Sequence, residues 1–165
     1  MKELFENDFD YHEDLVATRG FIINKSIIVE SNIDRILLTY YFKGNEERIP
    51  EFNDDILKTF SFTVKLQILK KTLKRIKKNT NIDYSKNLIK VLQSVFELRN
   101  KVAHWNWSQI WAHGIYLKKD MKSDELFIRR KEIEIFISEC VSANAIMSKI
   151  LVDIGYWEDK IKGIH

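Results

Sequence analysis

The segment Glu97-Leu98-Arg99-Asn100-Lys101-Val102-Ala103-His104-Trp105 sets a permanent cation, an amide and an imidazole within one short stretch. An imidazole titrates near neutrality and can move protons, whereas a guanidinium keeps its charge. If the stretch is helical, Arg99 falls three residues before Val102, four after Val95 and seven after Leu92, which puts a charge on an apolar stripe. Such a charge is costly unless it is paired or has a job. Both options are open. Glu30 and Asp34, spaced i,i+4 on an earlier helix, would pair with Arg99 and set helix register; otherwise Arg99 serves a ligand. Asn100 and His104 share a helical face, but Arg99 and His104 lie five apart, about 140° around the axis. They meet on one ligand only if the helix breaks before His104, or if a second copy packs across a twofold axis and each copy contributes.

Arg99-Asn100-Lys101-Val102-Ala103-His104 resembles the Arg-x4–6-His signature of the HEPN superfamily, in which a polar residue commonly follows the arginine. The likeness in helical layout spans most of the chain, and the six-residue motif is its specific part. The resemblance implies a small helical bundle acting as a dimer. It also implies a metal-independent endoribonuclease of the kind found in toxin–antitoxin, abortive-infection and other defence systems. On that reading Arg99 and His104 are the catalytic residues and Asn100 supports them. His104 would relay the 2′-hydroxyl proton or protonate the leaving oxygen. Arg99 would hold the phosphate bidentately and stabilise its transition-state charge, while Asn100 orients the phosphate or the histidine. The products would be a 2′,3′-cyclic phosphate and a 5′-hydroxyl, and DNA would not be cut. No metal or other cofactor is implied; an antitoxin protein is a further implied partner. Some relatives are noncatalytic, so a module binding nucleotide, RNA or protein is the alternative. A purely structural helical interaction protein, with Arg99 in an internal ion pair, is the third.

The elements that must position these residues follow from pattern. With 5 Gly and 1 Pro in 165 residues, a turn-rich sandwich or barrel is disfavoured, and 45% hydrophobic content supports a packed core. One helix is expected from about Thr18 to Phe42, with Ile23, Ile27, Ile33, Leu37 and Tyr41 recurring along it. Lys43 to Asp55, with Gly44, Pro50 and Asn53, reads as a loop. A second helix is expected from Ile56 to about Lys78, a third from Lys86 to about His104, and a last from Lys131 to about Gly155. Between them, β-prone runs flanking the polar Lys118 to Asp124 suggest a hairpin near 110–130. The expectation is therefore an all-α bundle of about four main helices with a short β-hairpin insertion, forming one domain over 1–165. Residues 1–14 make an acidic lead-in and 156–165 a tail.

Charge and composition narrow the function. The net charge of +3 is too small to argue for nucleic acid by itself, so distribution matters more. Lys65, Lys70, Lys71, Lys74, Arg75, Lys77, Lys78, Lys86 and Lys90 share a window whose only acid is Asp83. That window is either a phosphate track or a solvated helix face. Lys70, Lys74, Lys77, Lys78 and Lys101 are the candidate RNA-binding cations. Trp105, Trp107 and Trp111 suit core or dimer packing better than base stacking. His12, His113 and His165 have no metal-ligand spacing, and Cys140, the single cysteine, lies on an apolar stripe as a small hydrophobe rather than a nucleophile. The acidic start is the reverse of a signal peptide, and no apolar run nears the ~18 residues that would cross a bilayer. A cytoplasmic protein with no membrane association is expected.

Overall fold

The computed structural model describes residues 15–104, 106–111, 114–118 and 125–155. The lead-in 1–14, the tail 156–165, Trp105, His12, His113 and His165 lie outside the described residues, as do the side chains of Trp107 and Trp111. The architecture is a mostly helical bundle, in chain order α1 (Leu15–Phe42), α2 (Ile49–Asp55), α3 (Phe62–Thr80), α4 (Ser85–His104), β1 (Asn106–Trp111), β2 (Gly114–Lys118), β3 (Glu125–Arg129) and α5 (Arg130–Asp153).

Polar contacts between helices define their directions. Lys65 of α3 meets Glu30 and Asp34 of α1, while Thr72 and Arg75 meet Tyr41, so α1 and α3 run the same way. Asn32 to Asn144 and Lys43 to Ile154 show that α5 runs with them. Arg19 of α1 meets Ala103 near the end of α4, and Tyr84, just before α4, meets Asp153, so α4 alone among the long helices runs in reverse. One end of the bundle therefore gathers the start of α1, the end of α4 and the start of α5. The other gathers the C-termini of α1, α3 and α5.

The core is built from one stripe of each long helix. Ile22, Val29, Ile33, Ile36 and Leu37 of α1 pack with Leu69, Leu73 and Ile76 of α3, Leu88, Leu92, Val95 and Val102 of α4, and Ile133, Phe136, Met147 and Ile150 of α5. Of the apolar residues expected to recur along α1, Ile33 and Leu37 are in the core, whereas Ile27 is 50% and Tyr41 46% exposed. Isoleucines occupy several faces of this helix, and Ser26 takes an inward position by donating its hydroxyl to the Ile22 carbonyl at 2.8 Å. Serine satisfied in this way tolerates burial.

Three boundaries also differ from the sequence reading. Part of the expected loop is α2, because Pro50 in its first turn is compatible with a helix start. The second expected helix begins at Phe62 rather than Ile56, since Leu57–Thr59 forms a separate 3-10 turn with Leu57 buried and Ser61 caps α3 through the Val64 N–H. The expected hairpin corresponds to β2 and β3, paired antiparallel with Ile115 opposite Ile128, and β1 adds a third antiparallel strand.

α5 is long and apolar enough, by length and composition, to cross a membrane, which the residue-by-residue pattern did not suggest. In this fold its Ile133, Phe136, Cys140, Ala143, Met147, Ile150 and Leu151 lie in the core. Burial pushes the Cys140 thiol up to about 12, with the Glu139 charge adding to the shift.

Candidate functional site

The last turns of α4 carry Arg99, Asn100, Lys101 and His104 at the end of the bundle where α1 and α5 begin. Val102 is fully buried and fixes this part of the helix to the core, while Asn100, Lys101 and His104 are exposed and Arg99 is half-buried. Cations in the last turn also suit the negative end of the helix dipole.

Arg99 does not pair with Glu30 or Asp34. That place is taken by Lys65, only 4% exposed, whose ammonium donates to Glu30 Oε1 at 3.0 Å and Asp34 Oδ2 at 2.9 Å. Burial alone would lower the Lys65 ammonium, but hydrogen bonds and charge from Asp34 and Glu30 hold it above its ordinary value. Burial wins at Asp34, whose carboxyl is raised despite the lysine beside it. Lys65 accordingly leaves the set of candidate phosphate-binding cations and becomes a core residue.

Arg99 Nη1 instead donates to Asn100 Oδ1 at 3.0 Å. Among the described residues no ion pair involves Arg99, Lys101 or His104. The guanidinium and the neighbouring amide are therefore joined, and His104 lies one turn beyond Asn100 on the same face. Within a single chain Arg99 and His104 stay on different sides of a regular helix.

The surroundings of this helix end differ by side. Toward α5, Lys101 borders a groove of about 140 Å³ that also carries Glu97, Glu132 and Glu139, so three carboxylates oppose the approach of phosphate there. Toward α1, the half-buried Arg19 donates from Nη2 to the Ala103 carbonyl at 2.7 Å. Sequence reasoning missed Arg19. It lies 84 residues from its partner, and no local pattern marks it.

Apart from Lys65, the lysines of α3 are exposed, as a solvated face or a phosphate track requires. Their placement leads away from His104. The Phe62 and Phe96 rings stack, so α3 starts beside the middle of α4 and then runs toward the opposite end. There Lys77 pairs with Asp83 at 2.6 Å, just before Ser85 opens α4. The 20-residue α4 separates this point from His104 by roughly 28 Å. Lys70 and Lys74 lie between, and Lys78 lies with Lys77 at the far end. Lys77 and hydrogen bonds from Ser85 hold the Asp83 carboxyl well below the usual carboxylate range. Among the described residues no group of three His, Cys, Asp or Glu is arranged as metal ligands.

Compared with protein-family models, with curated proteins and with solved structures, the chain matches none. Its chemistry must therefore be argued from the helix end itself. That end offers an anion a guanidinium aligned by an amide, and offers a proton an exposed imidazole one turn away.

Proposed function

We propose that this chain is a metal-independent endoribonuclease of HEPN type, a cytoplasmic toxin or defence factor acting as a homodimer and held in check by an antitoxin protein. The observation that carries this reading is the division of labour between two cations. Lys65 occupies the internal carboxylate pair, which leaves Arg99 aligned by Asn100 at an exposed helix end with His104 on the adjoining turn.

In the proposed reaction, His104 removes the proton of the RNA 2′-hydroxyl. The 2′-oxygen attacks phosphorus as the bond to the 5′-oxygen breaks. The leaving oxygen takes a proton from the second copy's histidine, giving a 2′,3′-cyclic phosphate and a 5′-hydroxyl. Arg99 neutralises the extra charge on the phosphoryl oxygens, and Asn100 holds the guanidinium in place. Pairing two helix ends across a twofold axis is what would bring Arg99 of one copy to His104 of the other.

The test is cleavage of single-stranded RNA by purified protein, with His104→Ala and a DNA oligonucleotide of the same sequence as controls. Cleavage that survives His104→Ala, or products with a 3′-hydroxyl, would overturn the assignment. A noncatalytic RNA- or nucleotide-binding module is the second reading, favoured by the separation of Arg99 and His104 within one chain. RNA binding without cleavage, weakened by Arg99→Gln, would select it.

A further inference from the structure

The chain leaves α4 immediately after His104 and enters β1 at Asn106. The last four carbonyls of a helix have no partner within it, and Ala103 carries one of them. In this fold its oxygen accepts from Arg19 Nη2 at 2.7 Å, a charge-assisted bond at the negative end of the dipole. Arg19 is itself well anchored, because Thr18 beside it is 6% exposed and Ile22 one turn on is fully buried. The Ala103 carbonyl and the His104 Cα belong to one planar peptide unit. Fixing that oxygen therefore fixes the plane from which the His104 side chain departs, at a position where helix ends otherwise fray.

We infer that Arg19 is a positioning residue for His104, clamping the final peptide of α4 so that the imidazole is held in one orientation toward substrate. This rests on the endoribonuclease reading above. The clamp comes from α1, so the orientation of the motif histidine depends on packing between the first and fourth helices rather than on the motif alone. A cap serving only stability would change the melting temperature and leave the chemistry of surviving folded protein untouched. A clamp on the histidine changes turnover.

The experiment compares full-length wild type, Arg19→Gln, Arg19→Lys and His104→Ala on single-stranded RNA, reading kcat and KM separately, with amide hydrogen exchange across 99–104 as a second measurement. Misplacing a reacting group by about an ångström costs up to roughly 100-fold, so Arg19→Gln is expected to lower kcat by about tenfold or more with KM little changed. Arg19→Lys, which keeps a cationic donor, should recover much of that loss, and exchange in the last turn should rise in Arg19→Gln. Wild-type kcat in Arg19→Gln, with exchange showing the clamp released, overturns the inference and leaves the nuclease reading standing. If Arg19→Gln does not fold, Arg19→Met, which keeps the aliphatic stem without a donor, takes its place with the same two readouts: a lowered kcat with unchanged KM supports the clamp, and a wild-type kcat with raised exchange in the last turn overturns it. A wild type that does not cleave RNA removes both the reading and the inference built on it.

Discussion

Lys65 and Arg99 are both cations set on otherwise apolar helix faces, and the molecule handles them in opposite ways. Lys65 faces α1 midway along the bundle, where Glu30 and Asp34 converge on its ammonium from two successive turns. Arg99 sits near a helix end, half-exposed, with an amide as its hydrogen-bond partner. The first arrangement satisfies a buried charge and specifies how α1 and α3 align. The second keeps a charge available. Burial makes the difference: a cation deep between helices must be neutralised locally, and one at a helix end can be served by solvent, dipole or ligand.

The sharpest way to break this contrast is catalytic. On the proposed endoribonuclease reading, His104→Ala should lower RNA cleavage by roughly 100-fold or more, the usual scale for losing a general acid or base, while leaving thermal unfolding close to wild type. Next in size is stability. Lys65→Met should cost about 2–4 kcal/mol in urea unfolding, because two partly buried carboxylates lose their cation, whereas Arg99→Gln should cost under about 1 kcal/mol. Equal costs at the two positions would erase this distinction between the two cations. A chemical probe sharpens it further. The buried Cys140 thiol, pushed up to about 12, should resist a disulfide-exchange reagent in native buffer and react fully once urea unfolds the chain.

The smallest expected effect is a pH dependence. Burial raises the Asp34 carboxyl above its ordinary 3.8, so the folded chain binds more protons there than the unfolded one. Its contribution to stability is complete below that value and is lost as pH rises through the raised one. Relative to Asp34→Asn, wild type should therefore lose ground across that window, as read from urea midpoints. A difference that stays constant with pH would show that Asp34 is not perturbed.

Much of the helical framework is legible from periodicity. α4 and α5 begin within one residue of where the apolar pattern places them. The pattern failed where several registers were equally apolar, as in α1. The pattern also fails at Pro50, a breaker elsewhere in a helix, which here opens the short helix α2. β1 begins before the β-prone runs near 110–130 and overlaps them only at its end. The role of Lys65 was legible in principle. It lies four residues before Leu69, eight before Leu73 and eleven before Ile76, all buried, and so sits on an apolar stripe just as Arg99 does. A run of exposed lysines around it hid the signal.

The amino-acid sequence alone determined that this chain is a helical bundle, that Arg99, Asn100 and His104 share one short stretch, and that a cation on an apolar stripe needs an explanation. These are local properties, set by spacing along a 3.6-residue period. Only the tertiary structure decided which cation takes the carboxylate pair, that the motif lies at the end of the bundle remote from Lys77 and Lys78, and that Arg19 reaches across from the first helix to hold Ala103. Those outcomes depend on helix direction and relative rotation, which distant residues settle through packing.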